Sequence, residues 1–237
     1  MINRRDMLKL GALASVGLAM PAMAESIPTT TTTEDKSPIN KGKSVKGTKT
    51  EKCLIKAFAG ESQARMRYTI FAQRAEDEGY AQIRDIFIET AEQEKAHATR
   101  LFSCLDSGDA LTLDDAAYPA GKIGNTKQNL LAAAAGEKYE HEIMYPEFAK
   151  IAESEGFKEI ATLFRMIGKA EVNHDKRYQA FVKKLDAGFF KSDDAETVWE
   201  CIACGYTAVG PDAPKFCPVC GKPIAYFREA IEYTDED

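Results

Sequence analysis

Glu94-Lys95-Ala96-His97 and Glu171-Val172-Asn173-His174 decide how this chain is read. On a helix, a glutamate and a histidine three apart project from one face, with Cβ atoms about 5–6 Å apart. One carboxylate and one imidazole so placed can hold one metal ion. Two of the three histidines in the 237 residues sit in these two motifs. Around them, apolar residues recur at helical spacing. One stripe reads Ile83, Phe87, Thr90, Glu94, His97, Leu101, Cys104; another reads Ile160, Phe164, Ile167, Glu171, His174, Tyr178, Phe181.

Working outward, the pattern predicts four helices: 51–78, 81–106, 126–155 and 157–187. Gly79 and Gly156 are placed to end the first and third. Residues 107–125 form a long connection between two tight hairpins. Hairpin, crossover, hairpin is the order of a four-helix bundle. An internal repeat supports it. Ala75-Glu-Asp-Glu-Gly79-Tyr80 matches Ala152-Glu-Ser-Glu-Gly156-Phe157, and Tyr68, Phe71, Glu94 and His97 match Tyr145, Phe148, Glu171 and His174 at the same offset. Gly60-Glu61 matches Gly136-Glu137 at an offset one residue shorter. The third helix therefore carries one extra residue between Glu137 and Tyr145. Helices commonly absorb such an insertion as a π-bulge, here expected near Glu140, with Pro146 just beyond.

The other two stripes are Leu54, Phe58, Glu61, Tyr68, Phe71/Ala72, Ala75 and Leu130, Ala133, Glu137, Glu140, Met144, Phe148, Ile151. Five glutamates and two histidines thus fall at one level of an apolar interior. Buried carboxylates cost several kcal/mol each unless neutralised, and Arg65 is the one cation near those stripes. Two metal ions would neutralise them. The five carboxylates carry −5, between the +4 and +6 of a diferrous and a diferric pair. Carboxylate and imidazole suit iron or manganese. Charged residues make up 29% of the chain, so one Glu-x-x-His alone would read as a solvated face; two, at matched repeat positions, do not. Glu76, Glu78, Glu89, Glu92 and Glu142 are assigned to the surface. His141 lies about 100° round the helix from Glu140 and is placed behind the ligands or at the surface.

After a linker at 188–197, Cys201-Ile-Ala-Cys204-Gly205-Tyr206 and Cys217-Pro218-Val219-Cys220-Gly221 give two Cys-x-x-Cys pairs. Four thiolates enclose one ion tetrahedrally, and zinc and iron both fit the spacing. Residues 198–237 are too few for a large core, so the metal is required for folding, with Trp199, Tyr206, Phe216 and Phe227 as the aromatic core. Cys53 and Cys104 fall at similar heights on the first hairpin and read either as buried thiols or as a disulfide.

The net charge is −6 with no basic cluster, which argues against nucleic acid or an anionic membrane as partner. No apolar stretch is long enough for an ordinary membrane span. Asn3-Arg4-Arg5-Asp6-Met7-Leu8-Lys9, an apolar run to Met20 and Ala22-Met23-Ala24 resemble a twin-arginine export signal over residues 1–24, with a general secretory signal as the alternative. Cleavage after Ala24 would remove a net +2 and leave −8. Residues 25–50, rich in Thr, Ser, Lys, Gly and Pro, are expected to be a flexible tether.

From about residue 50 onward the chain resembles the rubrerythrin family. The residues that carry the resemblance are Gly60-Glu61-Ser62-Gln63-Ala64-Arg65, Ala91-Glu-Gln-Glu94-Lys-Ala-His97, Ala134-Ala-Gly-Glu137 with Glu140, Met144-Tyr145-Pro146, Glu171-x-x-His174, and the Cys-Gly-Tyr and Cys-Pro-x-Cys-Gly runs. The resemblance implies an all-α, ferritin-like four-helix bundle followed by a small rubredoxin-like, metal-bound domain. Its ligand set matches that known in di-iron bundles: Glu61, Glu94, His97, Glu137, Glu140, Glu171 and His174 hold two irons, with Glu94 and Glu171 bridging. It implies that Glu140 and His97 exchange on one iron, that Tyr68 and Tyr145 line the pocket, and that Cys201, Cys204, Cys217 and Cys220 hold one iron that relays electrons. The activity implied is reduction of hydrogen peroxide by a homodimer with transfer between subunits. Export would place the protein in the periplasm and call for a periplasmic electron donor. Iron oxidation or storage, redox sensing, and a zinc-ribbon docking module are the competing classes.

Overall fold

The computed structural model describes residues 42–106, 108–113, 116–119 and 121–230. The signal-like start and the tether as far as residue 41 lie outside the described residues. Helix α1 spans Lys49–Asp77, α2 Ala81–Phe102, α3 Thr126–Tyr139, α4 Tyr145–Ser154 and α5 Lys158–Ala187. Helix α1 packs on α2, and α3 with α4 packs on α5. The two hairpins form the four-helix bundle expected, its third member divided into α3 and α4.

The repeat is visible in how the hairpins turn. Gly79 and Gly156 both adopt φ +82°, a conformation glycine enters without a Cβ penalty. At the first turn Tyr80 N–H donates to the Ala75 carbonyl and Gly79 N–H to that of Glu76; at the second, Phe157 donates to Ala152 and Gly156 to Glu153. These paired bonds satisfy carbonyls that a helix end leaves open. Asn125 and Gln128 close a capping box at the start of α3.

The extra residue appears as expected. Glu140–Met144 form a π-helical turn between α3 and α4, with Tyr145 N–H donating to the Glu140 carbonyl five residues back. Tyr145 and Pro146 restart the α-helix. Proline lacks the N–H that this start would leave unpaired.

Three boundaries differ from the sequence reading. Residues 42–50 are packed against the bundle: Val45 is fully buried, its N–H donates to Asp106 at 3.3 Å, and Lys49 and Thr50 N–H donate to the Glu155 carboxylate. Thr48 caps α1, whose first residue, Lys49, lies two positions ahead of Glu51. Helix α2 stops at Phe102, and Asp106 beyond its end anchors this strap. The 188–197 segment is more than a spacer: Phe189 is buried in the bundle core, and Phe190 stacks on Tyr80 with ring centroids 6.1 Å apart.

The small domain is a three-stranded antiparallel sheet of β1 (Val198–Cys201), β2 (Thr207–Val209) and β3 (Phe227–Glu229), in the order β2-β1-β3. Trp199 and Phe227 are fully buried, whereas Phe216 is 67% exposed and lies outside the core assigned to it. Phe190, Ile224 and Tyr226 pack there instead. The domain rests on the α1–α2 end of the bundle. Tyr226 OH donates to Glu76 at 3.1 Å, and Lys184 pairs with Glu229 at 2.8 Å. Glu76 is therefore a docking residue and not the solvated surface residue that its sequence position suggests; Glu78 is exposed as expected and also receives the Thr126 N–H at the head of α3.

Candidate metal centres

Each helix of the bundle brings its polar residue inward midway along an apolar stripe. Glu61, Glu94, Glu137 and Glu171 are essentially fully buried, and His174 nearly so. Ligand atoms of Glu61, Glu94, His97 and Glu171 lie within 4.8 Å of one another. So do those of Glu94, Glu137, Glu171 and His174. Glu94 and Glu171 belong to both groups, as two bridging carboxylates must. His97 Nδ1 is 3.0 Å from both Glu94 and Glu171, and His174 Nδ1 is 2.7 Å from Glu171 and 3.0 Å from Glu94.

Apart from the hydrogen bond between His97 Nδ1 and Glu94 Oε2, these short distances are not a satisfied network. Glu61 Oε2, Glu94 Oε1, Glu137 Oε2, both Glu171 oxygens and His174 Nδ1 are buried without a hydrogen-bond partner. Buried polar atoms are ordinarily paired. Atoms that crowd together yet miss hydrogen-bond geometry are aimed at a common interior point, which is how metal ligands stand. Arg65 turns away to pair with Glu92 at 3.2 Å, so it does not neutralise the cluster. The donor set, the orphaned lone pairs and the turning away of Arg65 all fit two bound cations.

The electrostatics of the metal-free side chains agree. Burial, with repulsion from Glu171 and Glu94, drives Glu61 far above the ordinary carboxyl range. Burial pushes Glu137 up to about 8 against the pull of His174. Glu94 overcomes its burial through the adjacent His174 and His97 imidazoles and falls to about 2. His174, despite burial, is raised to about 12 by Glu137, Glu171 and Glu94.

Glu140 stands apart. It is half-buried on the π-helical turn and belongs to neither four-residue group, while His97 occupies a ligand position. Burial and the charges of Glu61, Glu137 and Glu171 raise its pKa, so it faces the centre without closing on it. Tyr68 OH donates to Glu137 Oε1 and Tyr145 OH to Glu61 Oε1. The tyrosine of each half of the repeat thus holds the glutamate of the other.

The sequence reading missed one partner of this turn. His141 Nε2 lies 3.2 Å from Asp175 Oδ2, and Asp175 Oδ1 accepts from Gln179 at 2.6 Å. Asp175 is buried and follows His174, so the pair pins the bulge to α5. No periodic signal flags it, because neither residue lies on an apolar stripe. H141A is expected to cost about 1 kcal/mol and to speed amide exchange over 140–145 about fivefold. Unaltered exchange there would mean that the pair holds nothing.

In the small domain the four sulfurs lie within 4.8 Å of one another, with Cys201–Cys220 at 3.7 Å and Cys204–Cys217 at 3.5 Å. An ion held tetrahedrally at about 2.3 Å would separate them by about 3.8 Å. Gly205 and Gly221 N–H donate back to the Cys201 and Cys217 carbonyls. N–H groups of Cys220 and Val219 outweigh burial and lower Cys217 to about 7, which favours the ligating thiolate. Cys53 and Cys104 are buried in one core cluster, where burial raises the Cys104 thiol.

A bundle with two candidate cation positions that share Glu94 and Glu171, joined to a tetracysteine module, defines the class: ferritin-like di-iron proteins with a rubredoxin-like domain. The family model for rubrerythrin matches residues 52–182, and that for the rubrerythrin rubredoxin-like domain matches 199–228. A rubrerythrin of Porphyromonas gingivalis is 53% identical over 186 residues, covering 78% of this chain and 92% of that one. The rubrerythrin of Nitratidesulfovibrio vulgaris is 49% identical, over 78% and 96% of the two chains. Among solved structures, nigerythrin in its mixed-valence state aligns with a TM-score of 0.52 and 29% identity over 83% of this chain and 94% of that one. The chain belongs to the rubrerythrin family. Its cofactors are two irons in the bundle and one in the four-cysteine site.

Proposed function

We propose that the chain is a peroxidase that reduces hydrogen peroxide to water with electrons relayed through the tetracysteine iron. The observation that carries this reading is the asymmetry at the bundle centre: six ligands converge, and a seventh, Glu140, waits outside them on a π-helical turn. When bound, the di-iron pair supplies one electron from each metal, enough with two protons to turn one peroxide into two waters. The side chains do the rest. Tyr68 and Tyr145 fix the two terminal carboxylates, and Glu94 and Glu171 hold the metal positions together. Glu140 and His97 are placed to trade ligand positions as the charge of the site changes, and the π-helical turn supplies the local freedom for that trade.

The relay favours a homodimer. Along α5, His174 and the helix end at Ala187 are separated by thirteen residues, about 20 Å at 1.5 Å each, and the tetracysteine module lies beyond that end. We propose that transfer runs from the tetracysteine iron of one subunit to the bundle of another. The twin-arginine-like start supports export, and with it a periplasmic donor.

Anaerobic addition of hydrogen peroxide to the fully reduced protein tests the reading. One equivalent is expected to oxidise the bundle pair, followed by reoxidation of the tetracysteine iron, with sustained turnover under an artificial donor. Uptake of iron well beyond three per chain, with no peroxide turnover, would replace it with iron handling.

A further inference from the structure

A cleft of about 240 Å³ lies between α1 and the α3–π-turn segment. Its inner end is formed by Glu140 and Tyr68, its sides by Gly60, Ala64, Gly136 and Met144, and its roof by residues 116–119 of the crossover. The roof is tied down: Tyr118 OH donates to the Lys56 carbonyl at 3.2 Å, and Gln63 Nε2 to the Pro119 carbonyl at 2.7 Å. Glu61, Glu94, Glu137 and Glu171 are sealed in the core, so the cleft meets the ligand set at Glu140.

The two glycines in its walls have no conformational reason to be there. Both lie inside helices with ordinary negative φ, where glycine costs about 0.5–1 kcal/mol relative to alanine. A Cβ on Gly60 would meet nothing within 4 Å, and one on Gly136 would meet only Arg67 Nη2, at 3.7 Å. Neither packing nor backbone demands glycine. What their bareness does is keep the cleft open, beside Glu61 and Glu137 at once.

The space exceeds what hydrogen peroxide needs. A water takes about 30 Å³, and a dry cavity of about 150 Å³ holds a benzene ring. The glycines, Ala64, Met144, Phe148 and Pro119 give apolar wall between Glu140 at the inner end and Lys56, Gln63, Arg67 and Glu147, which also line the cleft. We infer that this cleft is the substrate channel and that it admits organic hydroperoxides with a small apolar substituent as well as hydrogen peroxide. The –OOH group lies toward Glu140 and the substituent under the roof. The reaction is ROOH + 2 H⁺ + 2 e⁻ → ROH + H₂O: the O–O bond breaks, the alcohol leaves, and the electrons come from the reduced di-iron pair. The inference rests on the peroxidase reading for that electron source.

The test compares kcat/KM for tert-butyl hydroperoxide and for hydrogen peroxide in the iron-loaded wild-type protein and in G60L. The wild type is expected to reduce both, and G60L to lower the organic-to-inorganic ratio at least about tenfold. Y118A, which opens the roof without touching the glycine, is expected to raise that ratio. A second readout needs no turnover. tert-Butanol titrated into the zinc-substituted full chain is expected to shift the Gly60 and Gly136 amide resonances, and G60L to abolish the shift. Hydrogen peroxide turnover without tert-butyl hydroperoxide turnover, or an unchanged ratio in G60L, overturns the channel and leaves the peroxidase. Reduction of neither peroxide overturns both. Absence of the amide shifts, as when a second copy covers this face, also overturns the channel.

Discussion

E171A should empty the bundle of both irons while leaving the tetracysteine iron in place, so that metal content falls from about three per chain to about one. E94A should do the same, whereas E61A and E137A should each cost one metal position and retain the other in part. The distinction follows from membership: Glu94 and Glu171 contribute to both four-residue groups, Glu61 and Glu137 to one each. A ligand shared by two cations also shields them from each other, so its removal exposes each to the other's charge. Loss of either position should then disfavour the second. Metal analysis against the visible absorbance of the tetracysteine iron reads the result. Two bundle irons persisting in E171A would show that the shared carboxylate is not a bridge.

Much of this centre was legible in the sequence for one physical reason. A buried charge must be compensated, so a glutamate on an apolar stripe announces its partner. Glu61, Glu94, Glu137 and Glu171 fell on such stripes, and all four are buried. The bulge at Glu140–Met144 was legible because the repeat fails by one residue there. Other features left no periodic trace. Asp175 touches His141 across two elements, and its side chain obeys no stripe. The docking role of Glu76 depends on Tyr226, 150 residues away. Phe216 misleads because an aromatic near a cysteine knuckle reads as core, yet the knuckle's own turn carries it outward. The packed strap at 42–50 was hidden by composition: it is polar throughout except at Val45, and one buried valine with backbone hydrogen bonds to Asp106 and Glu155 suffices to hold it.

Stability of the metal-free protein should fall as pH rises from about 4.5 to 8, and metal loading should reverse that slope. The sign follows from the direction of each shift. Glu137 is raised to about 8, with Glu61 and Glu140 also raised, principally by burial. A carboxyl raised in the folded state holds its proton there more tightly than in the unfolded chain. Its contribution is complete below the unfolded value near 4.5 and is lost as pH climbs through the folded value. His174, raised to about 12, adds loss in the same direction above about 6.5. Glu94 runs the other way, since its depression to about 2 gives stability that disappears only as pH falls from 4.5 toward 2. Between pH 4.5 and 8 the raised groups therefore act together. Glu137 alone corresponds to a loss on the order of 4 kcal/mol, or about 10 °C in Tm for a chain of this size. Loaded metal inverts the dependence because binding needs the deprotonated ligands, so affinity grows with pH over the same interval. Thermal melts of chelated and iron-loaded protein at pH 5, 6.5 and 8 should diverge steadily. Parallel curves would mean that these carboxylates reach water in the metal-free state and do not carry the burial that the di-iron centre requires.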